Sequence, residues 1–175
     1  MHVEVITIQR LSLRPYAEGD IQAWQRWDVD PEVQKHLPEP VNKVVSEAEQ
    51  SAYMKECLEE NDGAYWSIVW NETGEVIGTV SITEINFHHG VGELGIVIGE
   101  KQFWGMGIAT ESIEAVIEYA KSTLKLRRLH AEYEQENIGV QKALEQAGFV
   151  FECVRKQSRI KNRKPINTVV EVCFL

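Results

Sequence analysis

The chain has 175 residues, 43% of them hydrophobic, with 18 basic and 27 acidic side chains for a net charge of −9. That apolar content supports one core and calls for no second, so the expectation is a single domain over residues 1–175. Nucleic-acid binding needs a basic footprint that this composition lacks; an acidic chain suits a cationic partner better.

The opening "MHVEVITIQR" is too short and polar for a signal peptide, and no apolar run approaches the roughly 18 residues of a membrane span. The sequence therefore predicts a cytoplasmic protein without membrane contact, a monomer or homodimer. Cys57, Cys153 and Cys173 are odd in number and lack CxxC or Cys/His spacing. They read as buried thiols, and no metal site is expected.

In chain order, "RLSLRP" alternates and ends at Pro15, which predicts an opening strand near residues 8–14. Ile21, Trp24 and Trp27 follow at helical spacing, and Asp30 with Pro31 makes an N-cap and first-turn pair. Ser46 with Glu49 forms a capping box for a helix that "NDG" stops at residues 61–63. "AYWSIVW", "EVIGTVSITEINF" and "VGELGIVIG" then read as an antiparallel meander turning at "NETG" and "HHG". Ala109, Ile113, Val116, Ile117 and Ala120 mark one face of a helix ending near Lys121, and "RRLHAEYEQ" is a strand. Asn137 caps a second helix, with Val140, Ala143, Leu144 and Ala147 on its apolar face and Gly148 at its C′ position. Closing strands near 149–160 and 166–174 enclose the basic "KNRKP". The class is α/β with a mixed sheet, and the central strand–loop–helix–strand unit should be a right-handed parallel crossover.

Between the meander and the first of these helices lies "QFWGMGIA", residues 102–109. Two glycines one residue apart at a helix mouth let backbone N–H groups meet an anion with no Cβ in the way. A P-loop would need GK[ST] after its second glycine. A dinucleotide fingerprint would sit in the first βα turn and carry a third glycine where Thr110 stands. The [Q/R]-x-x-G-x-[G/A] pattern fits instead, through Gln102, Gly105 and Gly107.

On that loop, on "GELGIVIGEKQFWGMGIATESIEAVIEYA", on "ENIGVQKALEQAGFVFE" and on the opening "TIQRLSLRP", the chain resembles the GNAT acetyltransferase superfamily over essentially its whole length. The likeness is to the ribosomal-protein-alanine acetyltransferase branch, with a looser one to bacterial spermidine acetyltransferases in "EINFHHGVGEL". The resemblance implies a twisted, mostly antiparallel sheet of six to seven strands with about four helices. It implies acetyl-CoA as co-substrate, its pyrophosphate on the N–H groups of Phe103, Trp104, Gly105, Met106, Gly107, Ile108 and Ala109. Its pantetheine would pair with the backbone around Ile96, Val97 and Ile98, and Asn137 would contact it from the second helix.

An amine acceptor with a pKa near 10.4 must lose a proton before it attacks. The resemblance points to an acidic residue on the strand before the loop as general base, here Glu93, with Glu84 in reserve and Glu134 weaker. His88 and His89 fall in a hairpin turn and read as solvated, Arg127 and Arg128 as surface charges. Trp104 has two candidate partners, the coenzyme and the core. Many relatives carry a tyrosine where Leu144 stands and some a serine at Val140, so no general acid is assigned. That departure also leaves room for an acyl-CoA-binding sensor without turnover. Acceptor contacts are expected from "HLPEPVNKVVSE", with Glu39 and Glu47, and from "RIKNRKPIN". A peptide or protein N-terminal amine ranks first, a small polyamine or aminoglycoside-type amine second.

Overall fold

The computed structural model describes residues 1, 3–38 and 45–175. Two short strands, β1 (Ile6–Thr7) and β2 (Leu11–Pro15), lead into α1 (Ile21–Asp28), α2 (Pro31–Gln34) and α3 (Glu47–Glu59). The meander is β3 (Ala64–Trp70), β4 (Glu75–Asn86) and β5 (Val91–Ile98). Then come α4 (Ile108–Ser122), β6 (Arg128–Glu134), α5 (Ile138–Gln146), β7 (Val150–Lys161) and β8 (Lys164–Phe174). The strands form one sheet in the order β1-β2-β3-β4-β5-β6-β8-β7, antiparallel except where β5 meets β6.

The described residues hold eight strands and five helices, slightly more than the sequence suggests. The single opening strand near 8–14 is a hairpin: Ile8 N–H donates to Leu11 O at 2.8 Å, which turns the chain between β1 and β2. The Asp30–Pro31 pair opens a helix of its own, because Asp30 takes an extended ψ of 112° while its side chain accepts from Glu32 N–H. The capping box of Ser46 and Glu49 starts α3 as its sequence indicates. So does Asn137 at α5, whose Oδ1 accepts from Val140 N–H at 3.2 Å. Gly148, at φ +92°, closes α5: its N–H reaches Glu145 O and that of Phe149 reaches Leu144 O, the paired bonds of a Schellman motif.

Side chains alternate across the sheet, so each face has its own core. On one face α4 and α5 pack Ile113, Val116 and Leu144 with Ile82, Leu94 and Leu129. On the other, Trp24, Trp27, Val33 and Met54 of the first three helices form a smaller cluster that Val97 joins from β5. Asp20 anchors this layer: its buried carboxylate accepts from Arg14 and from Ser67 Oγ at 2.6 Å, which satisfies a charge that burial would otherwise penalise. Cys57 and Cys173 are buried free thiols, but Cys153 is exposed, because β7 is an edge strand whose outer face is uncovered. No helix among the described residues is long and apolar enough to cross a membrane.

Candidate active site

The sheet opens between β5 and β6. They pair in parallel on only three rungs, Val91 with Arg128, Gly92 with Leu129 and Glu93 with His130, although β5 runs on to Ile98 and β6 to Glu134. The backbone of β5 beyond Glu93 therefore has a partner only on its β4 side. Gly99 N–H donates to Ile77 O at 2.9 Å, which sets the phase of the β4–β5 ladder. By the alternation of an antiparallel pair, Val97 bonds Thr79, while Ile96 and Ile98 turn their N–H and C=O groups towards the gap. Ile98 O is already taken by Trp104 Nε1 at 2.8 Å. The gap thus presents Ile96 N–H, Ile96 O and Ile98 N–H. Val97 does not contribute: its side chain lies in the cluster under α1.

At the open end of the gap stands the glycine loop. Gly105 and Gly107 have φ of +74° and +79°, a left-handed conformation that disfavours a Cβ. A Cβ on Gly105 would meet no atom within 4 Å, so the loop borders open space there. The first bond of α4 runs from Glu111 N–H to Gly107 O, which leaves the amides of residues 107–110 without intrahelical partners; Gly107 as N-cap supplies no side chain to cover them. Phe103 and Trp104 differ from expectation. Their N–H groups donate to Glu100 O and Lys101 O within a tight turn, and the Phe103 ring is buried against Trp70. Ile108 is buried in the core and Ala109 packs beside it, so each offers only its amide. Gln102 and Met106 are exposed, and Asn137 stands half-buried at the head of α5.

The loop is clamped from both sides. Glu100 accepts from Trp27 Nε1 at 3.0 Å and from Arg26, and Lys101 bridges Asp30 and Glu32, which hold its pKa up at about 12. From the sheet side Arg10 pairs with Glu111, donates to Met106 O at 2.9 Å and lies 5.8 Å from the Trp70 ring centre. Arg10 was not legible as a loop residue in the sequence, since it lies 96 positions away from its partner.

At the closed end of the gap, Glu93 and Glu84 line a cavity of about 500 Å³ together with His130, Glu132, Arg155 and Arg159. Two bulges build it. Glu84 adopts φ +51° where the β4–β5 register shifts, and Gln157 adopts φ +51° where β7 and β8 slip between Arg155 and Arg159. Each bulge re-aims side chains that a regular ladder would send elsewhere. Glu93 Oε2 lies 3.6 Å from His130 Nε2, an ion-pair distance, and the carboxylate pushes the His130 pKa up against the opposing effect of burial. His130 Nδ1 is buried without a partner. Burial works against the charge of Glu132, but Thr168, Arg155 and Arg159 offset it and hold the carboxyl below its usual range.

His130 is the residue that reading by motif missed. The alternation of "RLHAEYE" is its signal, since His130 and Glu132 oppose the buried Leu129 and Ala131. Glu134 is spent elsewhere, paired with Lys161 at 2.5 Å and His36 at 3.1 Å. His88 and His89 meet edge to face in the exposed β4–β5 turn. Arg128 pairs with Glu152, and Arg127 donates to His89 O. Leu144 is fully buried in the core. Glu47 is exposed at the start of α3, and Glu39 lies outside the described residues. Among the described residues no cluster of His, Cys, Asp or Glu is placed to hold a metal ion.

A family model described as an acetyltransferase (GNAT) domain matches residues 10–150. The chain belongs to the GNAT acetyltransferase family. Among curated relatives, the uncharacterized N-acetyltransferase p20 of Bacillus licheniformis is 32% identical over 163 residues, covering 92% of this chain and 91% of the relative. The uncharacterized N-acetyltransferase YoaA of Bacillus subtilis is 28% identical over 170 residues, covering 95% and 94%. Among solved structures, RimL, a ribosomal L7/L12 alpha-N-protein acetyltransferase in complex with coenzyme A, superposes with a TM-score of 0.87 at 19% identity, covering 98% of both chains. Spermidine N-acetyltransferase from Vibrio cholerae, in complex with CoA and spermine, gives 0.85 at 20% identity, covering 95% and 96%. At those identities the two structures speak for the fold. This GNAT protein is an acetyl-CoA-dependent acetyltransferase.

Proposed function

We propose that the whole chain works as one N-acetyltransferase domain that moves acetyl from acetyl-CoA to the N-terminal amine of a peptide or protein, by direct attack in a ternary complex. The pyrophosphate sits on the amides of residues 105–109, where two left-handed glycines and the N-terminus of α4 converge. Pantetheine lies in the gap and pairs with Ile96 O and Ile98 N–H, and the Asn137 amide nitrogen closes over it from α5. Ile96 N–H is the oxyanion donor, already positioned by the β4–β5 ladder.

Glu93 takes the proton of the attacking ammonium, directly or through a water, with Glu84 facing it across the cavity. His130 holds the Glu93 carboxylate in place. Leu144 and Val140 supply no hydroxyl to the leaving thiolate, and an alkyl thiol of pKa about 8.5 leaves as a thiolate and is protonated by water. The free cysteines suit a cytoplasmic setting.

The observation that carries the acceptor reading is the mixed charge of the cavity at Glu93. A peptide terminus brings an ammonium for Glu84 and Glu93 and carbonyl groups for Arg155 and Arg159. A small polyamine, the second reading, gains from Glu84 and Glu93, the two of the three carboxylates that no guanidinium pairs, and from the acidic net charge, but it sets more cations against Arg155 and Arg159, which only Glu132 offsets. Thiol release from acetyl-CoA tests this with a free-amine peptide, the same peptide blocked at its N-terminus, and spermidine. The reading expects turnover with the free peptide above that with spermidine and none with the blocked one. Equal turnover of free and blocked peptides contradicts it, and binding of acetyl-CoA with no release for any amine marks a sensor.

A further inference from the structure

We propose that a second cavity, between α1, α3 and the β4–β5 face, is an acceptor subsite that holds a positively charged group roughly 13 Å from the amine being acetylated. This rests on Glu93 marking the reacting end.

The cavity is about 430 Å³ and is walled by the rings of Tyr16, Trp24, Trp27 and Tyr53 with Asp28 and Gln50. Tyr16 meets Trp24 edge-on at 4.9 Å between ring centres, and Tyr53 lies 6.3 Å from Trp24. Asp28 Oδ2 accepts from Gln50 Nε2 at 2.6 Å. Gln50, 4% exposed, keeps its Oε1 buried with no partner, and Trp24, 8% exposed, does the same with Nε1. One orphan acceptor and one orphan donor thus face a single cavity, each left for an occupant to complete.

The chemistry of the wall selects that occupant. An ammonium or guanidinium group donates to Gln50 Oε1 and Asp28 while lying over the aromatic faces. Burial pushes the Asp28 carboxyl up, with the Gln50 bond opposing, and a cation beside it would relieve that penalty. Trp24 Nε1 asks for an acceptor next to the cation. A peptide carbonyl provides one and a polyamine does not.

The sheet joins this cavity to the one at Glu93. Val97 and Thr79, a rung of β4 and β5, lie on its floor, and Glu93 and Thr83 are a rung four residues back on the same face. Four residues of strand span roughly 13 Å. Between the two rungs stands Gly95, exposed and opposite Ser81, so β5 puts no side chain in the way. An extended peptide with its terminus at Glu93 would bring its fourth or fifth residue to the aromatic walls.

The test uses the full chain and steady-state thiol release with two free-amine peptides, one with lysine and one with norleucine at position 4, and with spermidine. The lysine peptide should have about tenfold higher kcat/KM, carried in KM, as expected for one well-placed cation contact. In Asp28→Asn that preference should fall to near one. Spermidine turned over with the same dependence on Asp28 would support the cation subsite and move its source from a peptide to a polyamine. Equal kcat/KM for the two peptides, or a preference that survives in Asp28→Asn, overturns the proposal. If no amine is acetylated, the function reading has failed and the subsite is read separately by tryptophan fluorescence, since Trp24 and Trp27 line it. Tighter binding of the lysine peptide than of the norleucine peptide would then uphold the subsite, and equal or absent binding would overturn it.

Discussion

Glu93 and His130 are partners on the last rung shared by β5 and β6, and beyond that rung the two strands part. The carboxylate assigned as base thus stands at the point where the sheet opens, held against an imidazole whose second nitrogen is buried.

That pairing gives a pH signature. Glu93 raises the folded-state pKa of His130 above its unfolded value, so the interaction stabilises the fold fully below about pH 6.5 and is lost as pH rises through the raised value. His130→Gln should therefore lower the melting temperature at pH 5.5, by an amount that fades on the alkaline side. Thermal denaturation across pH 5–9 checks this, and parallel curves for the two proteins would remove His130 from the account.

The loop makes a separable prediction. A Cβ at Gly105 touches no protein atom within 4 Å, so Gly105→Val strains the backbone by about 1–2 kcal/mol but blocks only what sits in the cradle. Its dissociation constant for acetyl-CoA should rise at least about tenfold, equivalent to 1.4 kcal/mol. Isothermal titration at matched folded fraction measures this, and an unchanged constant would place the pyrophosphate elsewhere.

Arg10 should act on the same constant from outside the loop. Its Nη2 is the one atom within 4 Å of a Cβ placed on Gly107, and it ties Met106 O and Glu111 together. Arg10→Gln should weaken acetyl-CoA binding several-fold with kcat nearly kept, because a positioning contact is lost rather than a reacting group. A fall in kcat with unchanged affinity would contradict that role.

Much of this was legible in sequence wherever the cause is local. The Ser46 capping box, the Asn137 cap, the Gly148 stop and the two loop glycines each depend on residues within one turn, and all took their expected conformations. The second core layer, the gap and the Glu93 cavity depend on register between distant strands. Bulges at Glu84 and Gln157 shift the β4–β5 and β7–β8 registers around the cavity, and neither residue is a glycine that would advertise a positive φ. The same blindness hid His130 and Arg10, and let Val97, Phe103 and Trp104 stand as backbone donors. The structure commits those three amides to β4 or to the turn.

Away from the site, Glu171 is 2% exposed on β8, accepts from Tyr133 at 2.7 Å and leaves Oε2 unpartnered. Burial pushes its carboxyl up, so the ionised form opposes folding at neutral pH and the penalty vanishes as pH falls. Glu171→Gln should raise the melting temperature at pH 7 by about 2–4 °C, the shift expected for roughly 1 kcal/mol, and by less at pH 4.5. Destabilisation at pH 7 would show that the carboxylate has a partner after all.

Single-turnover acetylation by Glu93→Gln decides whether Glu93 is the proton acceptor at the closed end of the gap. With acetyl-CoA prebound and peptide amine saturating, the rate should fall roughly 10²-fold, the range for losing a general base, while acetyl-CoA affinity stays within about twofold. A rate near that of the parent protein, with Glu84→Gln impaired instead, would contradict the account and move the base to β4.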